Sequence, residues 1–232
     1  MKFAADGPMA IPLWINGHAY LTVTQAFLDV RNPASGDIIR RTPLSGPTEV
    51  TEALGAGQAA LSAWRSLPES ERQQHLQHLA RLLDQFTGHF ARLVVEETGV
   101  DETVAKREVA TAVTALQGTE TATVHGVVAV VSDASRSLAA VAGIVAPLLR
   151  SGNCVLLKPS PRTPGAIFAL AELSGRAGFP AGVINLVHGD LAVIDALCQH
   201  PDLGLLRIVG EGDFVGQVKA LGERYGRSLE TD

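Results

Sequence analysis

The spacing of apolar residues divides the chain into three regions with different periods. Residues 11–47 alternate short apolar runs with turn signals, Ile15-Asn16-Gly17-His18 and Asn32-Pro33-Ala34-Ser35-Gly36-Asp37. That pattern predicts a small antiparallel β element on the surface. Residues 48–118 are apolar at helical spacing instead. Val50, Leu54, Leu61 and Trp64 mark a first helix, and Ser66-Leu67-Pro68-Glu69 predicts a capped start for a second. Leu76, Leu79, Leu83, Phe86, Phe90 and Leu93 would share one face of that second helix, with Gly99 at its end. A third helix is expected after Asp101, with Val104, Val109, Val113 and Leu116 as its apolar set.

From residue 126 the period changes again. Short apolar runs at 126–131, 154–157, 183–187, 205–209 and 228–230 alternate with helical segments. Such alternation predicts a parallel sheet wrapped on both faces, with right-handed crossovers. The expected fold is α/β: a five-stranded, doubly wound parallel sheet behind an N-terminal β element and a helical segment. All of it is read as one domain, with a β-rich arm over 1–47, a helical layer over 48–118 and the sheet over 126–232.

Composition narrows the partners. Apolar residues make up 46% and charged residues 19%, a balance that favours a globular chain over a disordered one. Lysine and arginine number 19 against 24 acids, for a net charge of −5, and no basic cluster is interleaved with aromatics. Neither nucleic acid nor an anionic membrane is therefore an expected partner. The longest apolar stretch, around 138–149, falls short of the roughly 20 residues a membrane span needs. Met1-Lys2-Phe3 does not open a recognisable signal peptide, and a cytoplasmic location is expected. Cys154 and Cys198 have no metal or redox spacing and are expected to be structural. His75, His78 and His89 lie on helices without a ligand constellation, so no metal site is expected.

The chemistry-bearing signal is Gly152-Asn153-Cys154-Val155-Leu156-Leu157-Lys158-Pro159-Ser160, followed by Thr163-Pro164. It reads as a buried strand ending in a lysine, at the edge where open α/β sheets bind ligands. Lys158 could donate to a ribose or phosphate, or could simply reach for solvent from a strand end. This stretch resembles the G-N-x-V-V-L-K-P-S-E-x-T-P segment of aldehyde dehydrogenases. Trp14-Ile15-Asn16-Gly17, Asn32-Pro33-Ala34-Ser35-Gly36, Glu97-Thr98-Gly99, Gly178-Phe179-Pro180-Ala181-Gly182-Val183-Ile184-Asn185 and His200-Pro201-Asp202 resemble further elements of that family, in the right order. The likeness covers residues 12–230 and implies the Rossmann-like, cofactor-binding half of the family fold.

The departures from the family pattern bear on function. By the resemblance, Lys158 matches the lysine that meets the adenosine ribose of NAD(P) and Ser160 belongs to the same cofactor-binding stretch, but the glutamate that accepts from that ribose is Pro161 here. The oxyanion-stabilising asparagine falls on Ser135, within Ser132-Asp133-Ala134-Ser135-Arg136-Ser137. Gly210-Glu211-Gly212-Asp213-Phe214-Val215-Gly216 stands where the family holds the cofactor pyrophosphate, with Glu211 at the serine position. Its acids could cap their own helix and displace the dinucleotide, or could swing into solvent and let NAD bind weakly. Glu230 matches the family's general base. The family's catalytic cysteine lies beyond an L-E-L-G-G segment, of which Leu229-Glu230 gives the first two letters. The connector 118–125 replaces a subunit-pairing hairpin, so the usual aldehyde dehydrogenase dimer or tetramer is not expected.

Together these imply a pseudoenzyme with no cofactor or weak NAD(P), acting as a structural or regulatory subunit beside a protein partner. Two alternatives stay open: the NAD-binding half of a split oxidoreductase acting on aldehydes and completed by another chain, and a truncated remnant.

Overall fold

The computed structural model describes residues 8–20, 22, 24, 26–135 and 138–232. Met1-Lys2-Phe3, read as opening no signal peptide, and Arg136 and Ser137 lie outside the described residues. Two hairpins come first: β1 (Leu13–Ile15) with β2 (His18–Tyr20), and β3 (Phe27–Arg31) with β4 (Ile38–Pro43). Four helices follow: α1 (Pro47–Ser66), α2 (Glu69–Gln85), α3 (Thr87–Thr98) and α4 (Glu102–Gln117). The remainder alternates strand and helix: β5 (Val127–Ser132), α5 (Leu138–Arg150), β6 (Cys154–Lys158), α6 (Gly165–Arg176) and β7 (Ile184–Leu186). Then come α7 (Leu191–Gln199), β8 (Leu203–Val209), α8 (Gly212–Arg224) and β9 (Leu229–Thr231).

The main sheet runs β2-β1-β7-β6-β5-β8-β9, and β7 through β9 in that order form the five parallel strands the sequence predicts. Every residue of β5 and β6 is buried, which is why both read as continuous apolar runs rather than alternating ones. Helices α5 and α6 pack with α2, α3 and α4, whereas α1 packs with α7, and α7 with α8. The sheet is thus covered by two separate helix layers. The chain moves from β5 outward to β6 and β7, then returns to place β8 on the other side of β5. Strand order reverses there, so the carboxyl ends of β5 and β8 flank the crevice where such sheets bind ligands.

Three sequence expectations need correction. First, the N-terminal β element is not wholly a surface feature. β1 is buried and pairs antiparallel with β7 through Trp14 and Leu186, so the sheet has two strands beyond the parallel five. The turn chemistry located the hairpin, but nothing local told that Leu13, Trp14 and Ile15 all face protein. Second, Ser66 does not start α2; it ends α1, where its hydroxyl donates back to the Ala63 carbonyl, and Pro68 takes the cap position. Third, the apolar face from Leu76 to Leu93 is carried by two helices. The backbone leaves helical geometry at Phe86 (φ −99°, ψ 19°), so apolar phase continues across a break that periodicity cannot detect.

Other local signals act as read. Asp101 accepts from the Val104 amide at 2.9 Å and opens α4. Gly99 ends α3 at φ 75°, and a Cβ there would lie 2.9 Å from the Pro33 ring. Glycine is needed twice over, for the left-handed turn and for the close approach. Trp64, His75 and Phe179 pack as three tilted rings with centroids 5.4–5.6 Å apart, so His75 belongs to the core. Among the described residues, no histidine, cysteine or acid grouping could hold a metal ion.

Candidate functional site

The loop after β5 and the loop after β8 meet at the switch point of the sheet. Asp133 is the first residue past β5. Its backbone N–H donates to the Val209 carbonyl at 3.0 Å, which latches the loop to the end of β8. Its carboxylate then spans the crevice mouth. Oδ2 accepts the Glu211 backbone N–H at 2.8 Å, while Oδ1 accepts the Ser135 amide at 2.8 Å and the Ser135 hydroxyl at 2.6 Å. A Cβ on Gly210 would lie 2.6 Å from Asp133 Oδ2, so the hollow left by this glycine is filled by the carboxylate.

Glu211 is the N-cap residue of α8, but its side chain makes no capping bond to its own helix, and Asp213 stands in the first turn. The anion that takes the amide of Glu211 is therefore Asp133, supplied from the neighbouring strand, rather than the helix's own acids. Ser135 spends its single hydroxyl proton on Asp133 and has none left for an oxyanion.

A second cluster lies at the carboxyl end of β6. Lys158 is 2% exposed, and burial pulls its ammonium down to about 8, against the favourable pull of Asp190. It remains mostly protonated at neutral pH. Asp190 opens α7 by accepting the Ala192 amide at 2.9 Å, next to the glycine that ends the β7 loop. His188, in the same loop, is buried and held neutral by that burial, with its ring nitrogen Nε2 3.1 Å from the Pro12 carbonyl. Ser160 is buried too. Its hydroxyl accepts the Arg162 amide at 3.2 Å and its carbonyl the Thr163 amide, a tight turn in which Pro161 fits without strain. Behind the turn, α6 starts at Gly165, whose N–H donates to both oxygens of Glu97 at 2.9 and 3.1 Å. Arg40 Nη1 pairs with the same carboxylate at 3.2 Å.

Glu230 is brought to neither cluster. On β9 it pairs with Arg207 and stands 3.8 Å from His125, towards the amino end of β5 and away from Asp133. These side chains line a cavity of about 360 Å3 with Thr121, Thr123 and Pro147. Both thiols are fully buried, and burial pushes Cys154 up to about 12 and Cys198 up to about 11.

The structure therefore joins Ser135, Gly210 and Glu211 through Asp133, sets Lys158 within the electrostatic reach of Asp190, and leaves Ser160 in its own turn and Glu230 in a separate ion pair. Sequence reasoning missed Asp190, His188 and Glu97 as partners of this region. Asp190 had a visible signal, an acid directly after the glycine of a strand-to-helix turn. Glu97 had none, because its target is 68 residues away. Of a dinucleotide's parts, the buried Lys158 suits a ribose hydroxyl, whereas the start of α8 does not suit a diphosphate, since a carboxylate already sits on its amide.

Strand order, crevice and helix layers define a doubly wound α/β domain of the dinucleotide-binding kind. The aldehyde dehydrogenase family model matches residues 20–229, and the chain belongs to that family. Malonate-semialdehyde dehydrogenase of Pseudomonas aeruginosa is 31% identical over 225 residues, covering 87% of this chain and 45% of that protein. A structure titled as an NADP-dependent enzyme of E. coli superposes with a TM-score of 0.89 at 28% identity, over 96% of this chain and 51% of that one. Lactaldehyde dehydrogenase from Escherichia coli reaches a TM-score of 0.91 at 24% identity, over 97% and 52%. The chain spans about half the length of the curated relatives it matches. Among the described residues, no helix is long and apolar enough to cross a membrane.

Proposed function

We propose that residues 1–232 do not oxidise aldehydes by themselves and serve as a structural or regulatory partner of another polypeptide. The observation that carries this reading is the state of the two sulfurs. Attack on an aldehyde carbonyl needs an accessible thiolate. Cys154 and Cys198 are buried, and both are held far above neutral pH. The other inherited positions add to it: the Ser135 hydroxyl donates its hydrogen bond to Asp133, and Glu230 is bound to Arg207. A general base without a thiol or an acyl group to act on has no task. With a net charge of −5 and no basic patch, a protein surface suits this chain better as partner than nucleic acid or membrane.

The test is direct. The purified 232-residue chain is supplied with malonate semialdehyde, as its relative's name suggests, and with NAD or NADP, and reduced cofactor is followed by absorbance. No turnover is expected; steady reduction overturns the reading. The position of Lys158 at the crevice favours a second reading, in which this chain is the cofactor half of a split aldehyde-oxidising enzyme. Isolation of the native assembly separates the two. A partner that carries a reactive thiol, together with cofactor reduction by the complex, supports the split enzyme; a lone monomer counts against both.

A further inference from the structure

We propose that Asp133 is a built-in anion that occupies the phosphate seat at the start of α8, so that the crevice excludes a dinucleotide diphosphate as long as this carboxylate is charged. The proposal rests on the family assignment and is independent of whether a partner chain exists.

Three features of the site carry it. The Glu211 N–H, the amide an anion would meet at this helix start, is already taken at 2.8 Å by Asp133 Oδ2. The second oxygen is fixed by the amide and hydroxyl of Ser135, and the Asp133 backbone is tied to Val209, so the carboxylate cannot turn aside without giving up several bonds together. The space over Gly210, which a glycine keeps open for close approach, is filled by Asp133 Oδ2 and Cγ at 2.6 and 2.7 Å from where a Cβ would stand. An incoming phosphate would have to displace a like charge from this seat. Asp133 does for the helix what a bound phosphate would do, and the crevice needs no ligand to be complete.

The experiment compares the wild-type chain with Asp133→Asn and Asp133→Ala. Binding of NAD, ADP-ribose and inorganic pyrophosphate is measured by titration calorimetry, and thermal unfolding is followed with and without millimolar pyrophosphate. The wild type is expected to bind all three only weakly, with an unmoved melting temperature. Both variants should bind at least about tenfold more tightly, because the repulsion is gone, and pyrophosphate should raise their melting temperature. Asp133→Asn keeps the side-chain shape, so it answers the question even if Asp133→Ala fails to fold. Lys158→Ala added to either variant should reduce the gain for NAD and ADP-ribose but spare that for pyrophosphate, which places the gain in this crevice. Micromolar binding of NAD by the wild type overturns the proposal. So does an unchanged affinity in folded variants, or a gain produced by Glu211→Gln alone. No arm requires turnover, so cofactor reduction by the wild-type chain would overturn the inactive-partner reading without deciding this one.

Discussion

Two helices of the same sheet, α6 and α8, begin with an amide held by a carboxylate from another element. At α6 the acid is Glu97 from α3, 2% exposed and paired with Arg40 from β4. At α8 it is Asp133 from the end of β5, at the open mouth of the crevice. The bond is similar in the two places, and its meaning differs with the surroundings. Glu97 is buried, and its bonds clamp β4, α3 and the turn behind Lys158 together. Asp133 faces solvent where the fold presents an anion site, so its bond competes with any phosphate. A carboxylate on a helix start is structural when nothing else can reach that amide, and exclusionary when something can.

Substitutions at the buried member should break the comparison most severely. Glu97→Ala leaves the buried Gly165 amide without its acceptor and the Arg40 guanidinium with Glu96 alone, and should cost about 3 kcal/mol in urea unfolding. Its pH dependence has a definite sign. Burial raises the Glu97 carboxyl from the usual 4.5 to about 7, against the pull of Gly165 and Arg40. Between those values the folded state holds more protons than the unfolded one, so stability should fall as pH rises from about 4.5 to 7. Glu97→Gln should flatten that fall while keeping an acceptor for Gly165. A wild-type profile that is flat or rising over the same window would contradict the burial argument.

Lys158→Met is expected to come next, with the opposite sign. The lysine is buried at the crevice with its ammonium held near 8, below the free value of 10.5. Its charge therefore costs the fold on the order of 1–3 kcal/mol at pH 7, which the methionine variant should recover. The unfolded chain binds more protons between 8 and 10.5, so wild-type stability rises across that window and the gap to the variant should close. A variant less stable than wild type at pH 7 would mean that Asp190 outweighs burial. The smallest effect belongs to Asp133→Ala. Loss of a helix cap at a partly exposed site should lower stability by about 0.5–2 kcal/mol, as read from the shift in urea midpoint.

The different legibility of these two helix starts follows from sequence distance. The parallel sheet could be read because β5 and β6 are buried along their whole length and so carry near-continuous apolar runs. The Gly99 and Asp101 signals could be read because a left-handed turn and a helix start each act within a few residues. Lys158 was visible for the same reason, at the end of its own strand. Local capping rules offer Glu211 and Asp213 as the acids for the start of α8, because they see only the helix itself. Asp133 lies 78 residues before Glu211 and becomes its neighbour only when β5 and β8 pair. Pairing with β7 likewise decided whether Trp14 faced solvent or protein. In both of these misses the deciding contact was made by the sheet.

The side chain of Asn153 has a consequence for how this fold can diversify. Its oxygen accepts the amides of His125 and Gly126, and its nitrogen donates to the carbonyls of Thr123 and Leu148. One amide group thus staples the last residues of the 118–125 connector to the end of α5, with all four of its bonding positions in use. New segments grafted near Glu120 would leave the Asn153 bonds untouched and break only the bond from Arg150 to the Glu120 carbonyl, while the same insertion three or four residues later would tear the Asn153 bonds apart. Asn153 in effect marks out which stretch of this surface can lengthen or acquire appendages, and which must keep its length.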